Sequence, residues 1–130
     1  MSPPGDKIMK YLNIACGLLM ILFAGVQFND PDGLLWAAIY LVPAIWAGIL
    51  AFRPHLIQNT LPFGLLGLSA AAELIGVLYY WPTTPGFWRQ DVWWNTETAR
   101  EGMGIMIAAI VVLIALATAV RNRAAAHKAG

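Results

Sequence analysis

Residues 11–28, 34–52, 61–81 and 102–120 form four apolar stretches containing a single charged residue, Glu73. Each runs for about 18 to 21 residues, enough at roughly 1.5 Å of helical rise per residue to cross a hydrocarbon layer about 30 Å thick. Inside that layer no water can satisfy backbone N–H and C=O groups, so each stretch must close its hydrogen bonds within itself as a helix. A water-soluble helical bundle would instead show charged faces at a 3.6-residue period, whereas these segments are apolar on every side. The composition agrees, because a chain of 130 residues with 59% hydrophobic and 12% charged side chains cannot hide its apolar surface in a soluble core. The expected fold class is all-α: a polytopic membrane protein forming a four-transmembrane-helix bundle with short loops and one longer outer loop. It is expected to be a single domain, with helices over about 8–29, 33–52, 61–81 and 97–121, an outer loop over 82–96 and disordered tails over 1–6 and 122–130.

Lys7 and Lys10 precede the first apolar run much as basic residues precede a secretory signal. The run is long for a signal core and lacks a small-x-small cleavage site, so it reads as the first helix. Cys16 has no partner for an internal disulfide and no metal-type cysteine spacing. Lys7, Lys10, Arg53, Arg121, Arg123 and Lys128 flank the spans on one side, against Arg89 and Arg100 on the other. The positive-inside rule makes the first side cytoplasmic, with both termini there. The acids sort the opposite way, giving formal charges of about +5 inside and −3 outside. The expected location is a cell membrane, specifically a bacterial inner membrane. The expected partners are the lipid bilayer, whose anionic headgroups suit the basic ends, and a second copy of the chain or a larger membrane complex. Nothing points to nucleic acid.

The outer link between the first two helices is five residues long, and Asp30, Pro31, Asp32 and Gly33 fit a type I turn, so those helices are antiparallel neighbours. The inner link over 53–60 is also short and predicts that helices 2 and 3 pair as well. The outer segment over 82–101 is long for a compact domain. Phe87, Trp88, Trp93 and Trp94, with Tyr79, Tyr80, Trp81 and Trp36, crowd aromatic rings onto the outer interface, where amphipathic rings settle. This segment reads as a loop or short helix lying in the headgroup layer, or alternatively as a lid over a pocket. Gly17 with Ala24, Ala72 with Gly76, and Gly104 with Ala108 provide small-residue spacings for close packing, and Pro43 is expected to kink helix 2.

Glu73 carries the sharpest chemical signal, because a carboxylate in mid-span is costly unless it is paired, hydrated or protonated. Ser69, Gly76 and Tyr80 share its helix face and predict a weakly polar stripe turned into the bundle. A second constellation lies outside: Glu97, Arg100, Glu101 and Gly104 fall on one face at the start of helix 4. Thr98 and Glu101 could form a capping box there. Asn29, Asp30 and Asp32 occupy the same level, where Asp32 could cap helix 2, and Gln27 extends the polar lining one turn inward. If these ends converge, Asp30, Asp32, Glu97 and Glu101 supply the hard oxygen ligands that a divalent cation prefers; no organic cofactor is implied. Alternatively, Arg100 pairs with Asp30 or Asp32 and locks the helix ends in register. His55 and His127 lie across the bilayer from the acids and lack the positioned partner that catalysis requires.

The run Val26, Gln27, Phe28, Asn29, Asp30, Pro31, Asp32, followed by Trp36, Tyr40, Pro43 and Ala44, resembles the signature of the transmembrane protein 220 family. Glu97, Arg100, Glu101 and Gly104 are similar to that family's second acidic motif. The resemblance covers residues 11–115 and implies a compact four-helix membrane protein with both motifs on one side; it implies no activity, cofactor or catalytic residue. The leading functional expectation is a non-enzymatic protein that binds a partner, small ligand or cation at its outer acidic face. The candidate binding residues are Gln27, Asn29, Asp30, Asp32, Glu73, Tyr80, Glu97, Arg100 and Glu101. A proton-coupled small transporter using Glu73 is the alternative. The third reading is an isomerase-type enzyme acting on a lipid, with Glu73 as acid and base.

Overall fold

The structure, a computed structural model, describes the backbone of residues 4–27 and 32–129 and the side chains of residues 7–27 and 32–126. Within these residues the chain is all helical. Helix α1 spans Pro4–Gly25, α2 Gly33–Phe52, α3 Thr60–Tyr79, α4 Gln90–Trp93 and α5 Glu97–Ala129, with a 3-10 turn over Pro54–Gln58 between α2 and α3. Helices α1, α2, α3 and α5 are each long and apolar enough to cross a membrane. At 33 residues α5 is about 50 Å long, so it projects beyond the hydrocarbon layer.

Two helix boundaries differ from expectation. Residues 122–129, expected to be a disordered tail, continue α5, because Ala124, Ala125 and Ala126 are strong helix formers. Arg123 fixes this extension by donating to the Gln58 carbonyl at 2.7 Å and stacking over the Phe63 ring at 4.3 Å. The N-terminal tail is likewise helical from Pro4, a residue whose fixed φ suits a first helical turn. Helix α2 runs through Pro43 without interruption.

Helices α1 and α2 pack as an antiparallel pair, and α5 lies against both α2 and α3. The expected pairing of α2 with α3 is only slight, since the principal neighbour of α3 is α5. Between α2 and α3, the 3-10 turn buries Ile57 in the core and touches α5 as well as both of those helices. What joins α2 to α3 is a hydrogen bond from the Trp46 indole to the Ser69 hydroxyl at 2.9 Å.

The core is built mainly from small side chains. One half holds Met20, Ala24, Ala37, Ala44, Ala47 and Ala108 around Trp36 and Tyr40, and the other holds Leu50, Leu66, Ala70, Val112, Ala115 and Ala119. Lipid tails are as apolar as leucine, so membrane helices gain from close backbone approach, which alanine and glycine permit. Large aliphatic residues face outward instead, with Leu34 83% and Leu78 76% exposed, which suits a lipid-facing surface. Ala72 also faces outward, so it takes no part in the small-residue packing expected of it. Buried polar groups pair across helices: Asn13 Nδ2 donates to the Thr118 hydroxyl at 2.9 Å, tying α1 to α5.

Candidate functional site

The N-terminal ends of α2 and α5 meet beside the C-terminal end of α1 and enclose a cavity of about 310 Å³. Gln27 contributes from beyond α1, Asp32, Trp36 and Tyr40 from α2, and Glu97, Arg100 and Glu101 from α5. The helical repeat explains the convergence. Asp32, Trp36 and Tyr40 are spaced four apart on one face at the start of α2, and Glu97, Glu101 and Gly104, at spacings of four and three, share one face of α5.

Carboxylate oxygens of Asp32, Glu97 and Glu101 all lie within 4.8 Å of one another. Asp32 occupies the N-cap position of α2, but its carboxylate does not cap the helix. It accepts instead from the Trp36 indole N–H at 3.1 Å, one turn along, which aims it across the cavity mouth. Helix α5 begins at Glu97, and the Thr96 carbonyl accepts from the Arg100 N–H. Thr98 therefore lies within the first turn, and the expected capping box with Glu101 does not form. Glu97 sits where the helix dipole favours an anion.

Arg100 lines the same cavity as Asp32 but forms no salt bridge with it. Its guanidinium donates to the carbonyls of Trp93 and Trp94 at 3.2 and 2.7 Å, clamping α4 and the loop after it against the start of α5. The expected Arg100–Asp32 pairing is thus replaced by a backbone clamp, because the α4 turn presents two carbonyls to the side chain. Asn29 and Asp30 lie outside the described residues.

Below the mouth, the walls are aromatic and buried. Trp36 is 2% exposed, so it is a core residue and not the interfacial anchor expected from its place in the aromatic group. Its ring meets Tyr80 edge-on at a centroid distance of 4.9 Å. Tyr80 therefore supports the cavity wall from behind, and it is not a lining residue. Phe23 meets Tyr40 edge-on at 5.4 Å. A Cβ at Gly104 would overlap the Tyr40 hydroxyl, so only glycine lets α5 approach the ring this closely. Gly102 meets the Tyr80 carbonyl and Pro82 in the same manner, seating the start of the long loop on α5.

Glu73 lies deeper, on the face of α3 turned into the bundle, and is 6% exposed. Its Oε2 has no hydrogen-bond partner among the described residues. Ser69, Gly76 and Tyr80 share that inward face: Ser69 accepts from Trp46, Gly76 abuts Ile105 and Tyr80 packs on Trp36. Glu73 does not line the cavity. The loop tryptophans are apart from the cavity. Trp88 is 64% and Trp94 67% exposed, and neither they nor Trp93 line it. Sequence reasoning had placed Trp36 and Tyr40 in a motif without assigning them to the site. The i, i+4, i+8 spacing from Asp32 was the signal that would have done so.

A family model described as transmembrane family 220, helix, matches residues 19–117, which take in both acidic motifs and the whole cavity. Transmembrane protein 220 of Xenopus laevis is 31% identical over 96 residues, covering 71% of this chain and 52% of that relative. The chain thus spans about half the length of the curated relative it matches. No solved structure matches it. The residues of the two motifs, Gln27, Asp32, Trp36 and Tyr40 on one side and Glu97, Arg100, Glu101 and Gly104 on the other, are those that build or shape the cavity, and the chain belongs to transmembrane family 220.

Proposed function

We propose that this membrane protein binds a small divalent cation in the cavity between the ends of α2 and α5. The observation that carries the reading is the convergence of Asp32, Glu97 and Glu101 at the mouth of the cavity. Calcium takes oxygen ligands at about 2.3–2.6 Å, so oxygens on opposite sides of the ion stand about 5 Å apart. The three carboxylates already fit that spacing. Gln27 and water would complete the shell. By the distribution of basic residues, the cavity faces the non-cytoplasmic side, where extracellular calcium modules work at about 10⁻⁴–10⁻³ M. The test is a titration of the detergent-solubilised protein with calcium, magnesium and manganese, read by thermal unfolding. Ligand at about 100 times its Kd should stabilise the fold by about 2.7 kcal/mol. Asp32→Asn and Glu101→Gln should each shift the midpoint to concentrations at least about ten-fold higher, since affinity follows ligand charge. The absence of saturable stabilisation by any of these cations would sink the proposal.

A second reading rests on Glu73, a buried carboxyl in mid-span whose Oε2 has no hydrogen-bond partner among the described residues. In that reading Glu73 accepts a proton or cation passed inward from the mouth, and transport follows. Loss of ion flux in Glu73→Gln proteoliposomes, with mouth binding intact, would support it; unchanged flux would exclude it.

A further inference from the structure

The opposite end of the bundle carries a larger and chemically distinct groove, of about 870 Å³, formed where α1, α2, the 3-10 turn and α5 come together. Lys7 and Lys10 stand three apart on one face of α1 and reach it from one side, while Arg121 reaches it from α5 and His55 from the 3-10 turn. Among the described residues, no acidic side chain lines it. The acids at positions 32, 91, 97 and 101 lie towards the other end of the spanning helices, and the charged side chains described at this end, Lys7, Lys10, Arg53, Arg121 and Arg123, are all basic. Below the cations the wall turns apolar: Leu50 and Phe52 of α2 and Tyr11 of α1 line the same groove, and the Lys10 ammonium lies 5.9 Å from the Phe52 ring centroid. Thr118, 4% exposed, also lines the groove, with its hydroxyl committed to Asn13 and the Ile114 carbonyl. A cationic rim above an apolar wall, at the ends of spanning helices, is the complement of an amphiphile with an anionic head.

We propose that this groove is a binding site for the phosphate headgroup of an anionic phospholipid, held by Lys7, Lys10 and Arg121, with the acyl chains descending along Phe52 and Tyr11. The groove lies at the basic end and is independent of the acidic cavity, so the two proposals stand or fall separately. Its geometry distinguishes it from a general attraction between basic residues and an acidic leaflet. Arg53 lies at the same end and is exposed, but it does not line the groove.

The test is native mass spectrometry of the full chain in detergent, presented with equimolar phosphatidic acid and phosphatidylcholine of identical acyl chains. Phosphatidic acid should be retained in preference. Lys7→Gln and Lys10→Gln should each weaken its retention by roughly five-fold. Arg53→Gln, which removes a charge at the same end, should leave retention unchanged. Both lysines and Arg53 are exposed, so folding is not at risk, and the far-ultraviolet circular dichroism of each variant serves as the control. Equal loss in the Arg53 and lysine variants, or equal retention of the two lipids, would overturn the proposal. Inorganic phosphate at millimolar concentration provides the remaining arm. If it displaces the bound lipid and alone stabilises the protein, the groove takes a soluble phosphate and the lipid assignment is wrong.

Discussion

Replacing Gly104 by alanine tests the cavity's construction most directly. The added Cβ would overlap the Tyr40 hydroxyl and lie 3.1 Å from Cζ and 3.4 Å from Cε1 of the same ring. The ring cannot swing aside: Tyr40 is 4% exposed and is held between Phe23 at 5.4 Å and Trp36 at 6.1 Å between centroids. Overpacking a confined site costs about 1–3 kcal/mol, and a collision with a phenolic oxygen on a fixed ring belongs in the upper part of that range. Tyr40→Phe removes the oxygen and leaves only the contact at 3.1 Å, which a shift of a few tenths of an ångström relieves. Gly104→Ala should therefore cost about 2 kcal/mol in the parent and less than half that in Tyr40→Phe, a coupling of about 1 kcal/mol or more. Reversible unfolding in mixed micelles of the parent, both single variants and the double variant measures each value. Effects that add to within about 0.5 kcal/mol would refute the apposition of α2 and α5 at this point.

Three other substitutions probe separate parts of the bundle. Ser69→Ala removes the acceptor for the Trp46 indole and should cost about 0.6 kcal/mol, and no more than about 1.7, in the same unfolding assay. Arg100→Gln releases the Trp93 and Trp94 carbonyls and should raise amide hydrogen exchange across residues 89–96, leaving α2 and α3 unchanged. Glu73→Gln preserves shape and removes a buried carboxyl whose Oε2 has no partner among the described residues, so its apparent Tm should equal or exceed that of the parent. A clear fall would show that the carboxyl is held by a specific partner.

The spanning helices were legible because a bilayer leaves the backbone one solution, and length with unbroken apolarity reports it. Their neighbours were less so. The short link after α2 suggested an α2–α3 pair, but Pro54 starts a 3-10 turn that buries Ile57, and α3 packs chiefly on α5. Asp32 was readable as a cap from its position, yet its carboxylate is taken by the indole of Trp36, and competition between two nearby donors is decided by rotamer. Of the two pairings open to Arg100, the one with Asp32 does not form for a related reason: a guanidinium near acids invites an ion pair, while this one donates to carbonyls of a turn not visible in the sequence. Convergence of Asp32 with Glu97 and Glu101 stood as a condition in the sequence, because periodicity fixes the face of each helix and not which helices adjoin.

The cluster's electrostatics give the cation reading a signature that a purely structural role lacks. Like charges within 4.8 Å repel by between about 1 kcal/mol in bulk water and about 3 kcal/mol near a protein surface, and with Asp32 and Glu97 exposed the lower part of that range applies. Without a cation, folding brings these acids together against that repulsion. Asp32→Asn relieves part of it and still offers the Trp36 indole an acceptor oxygen, so in chelator the variant should be at least as stable as the parent. With saturating calcium the ordering should reverse, because the parent gains binding energy that the variant largely loses. Structural acids that merely cap or pair would make Asp32→Asn destabilising by the same amount in chelator and in calcium. The crossing of the two stability curves as calcium is added therefore separates a ligand from a strut, and parallel curves would refute the site.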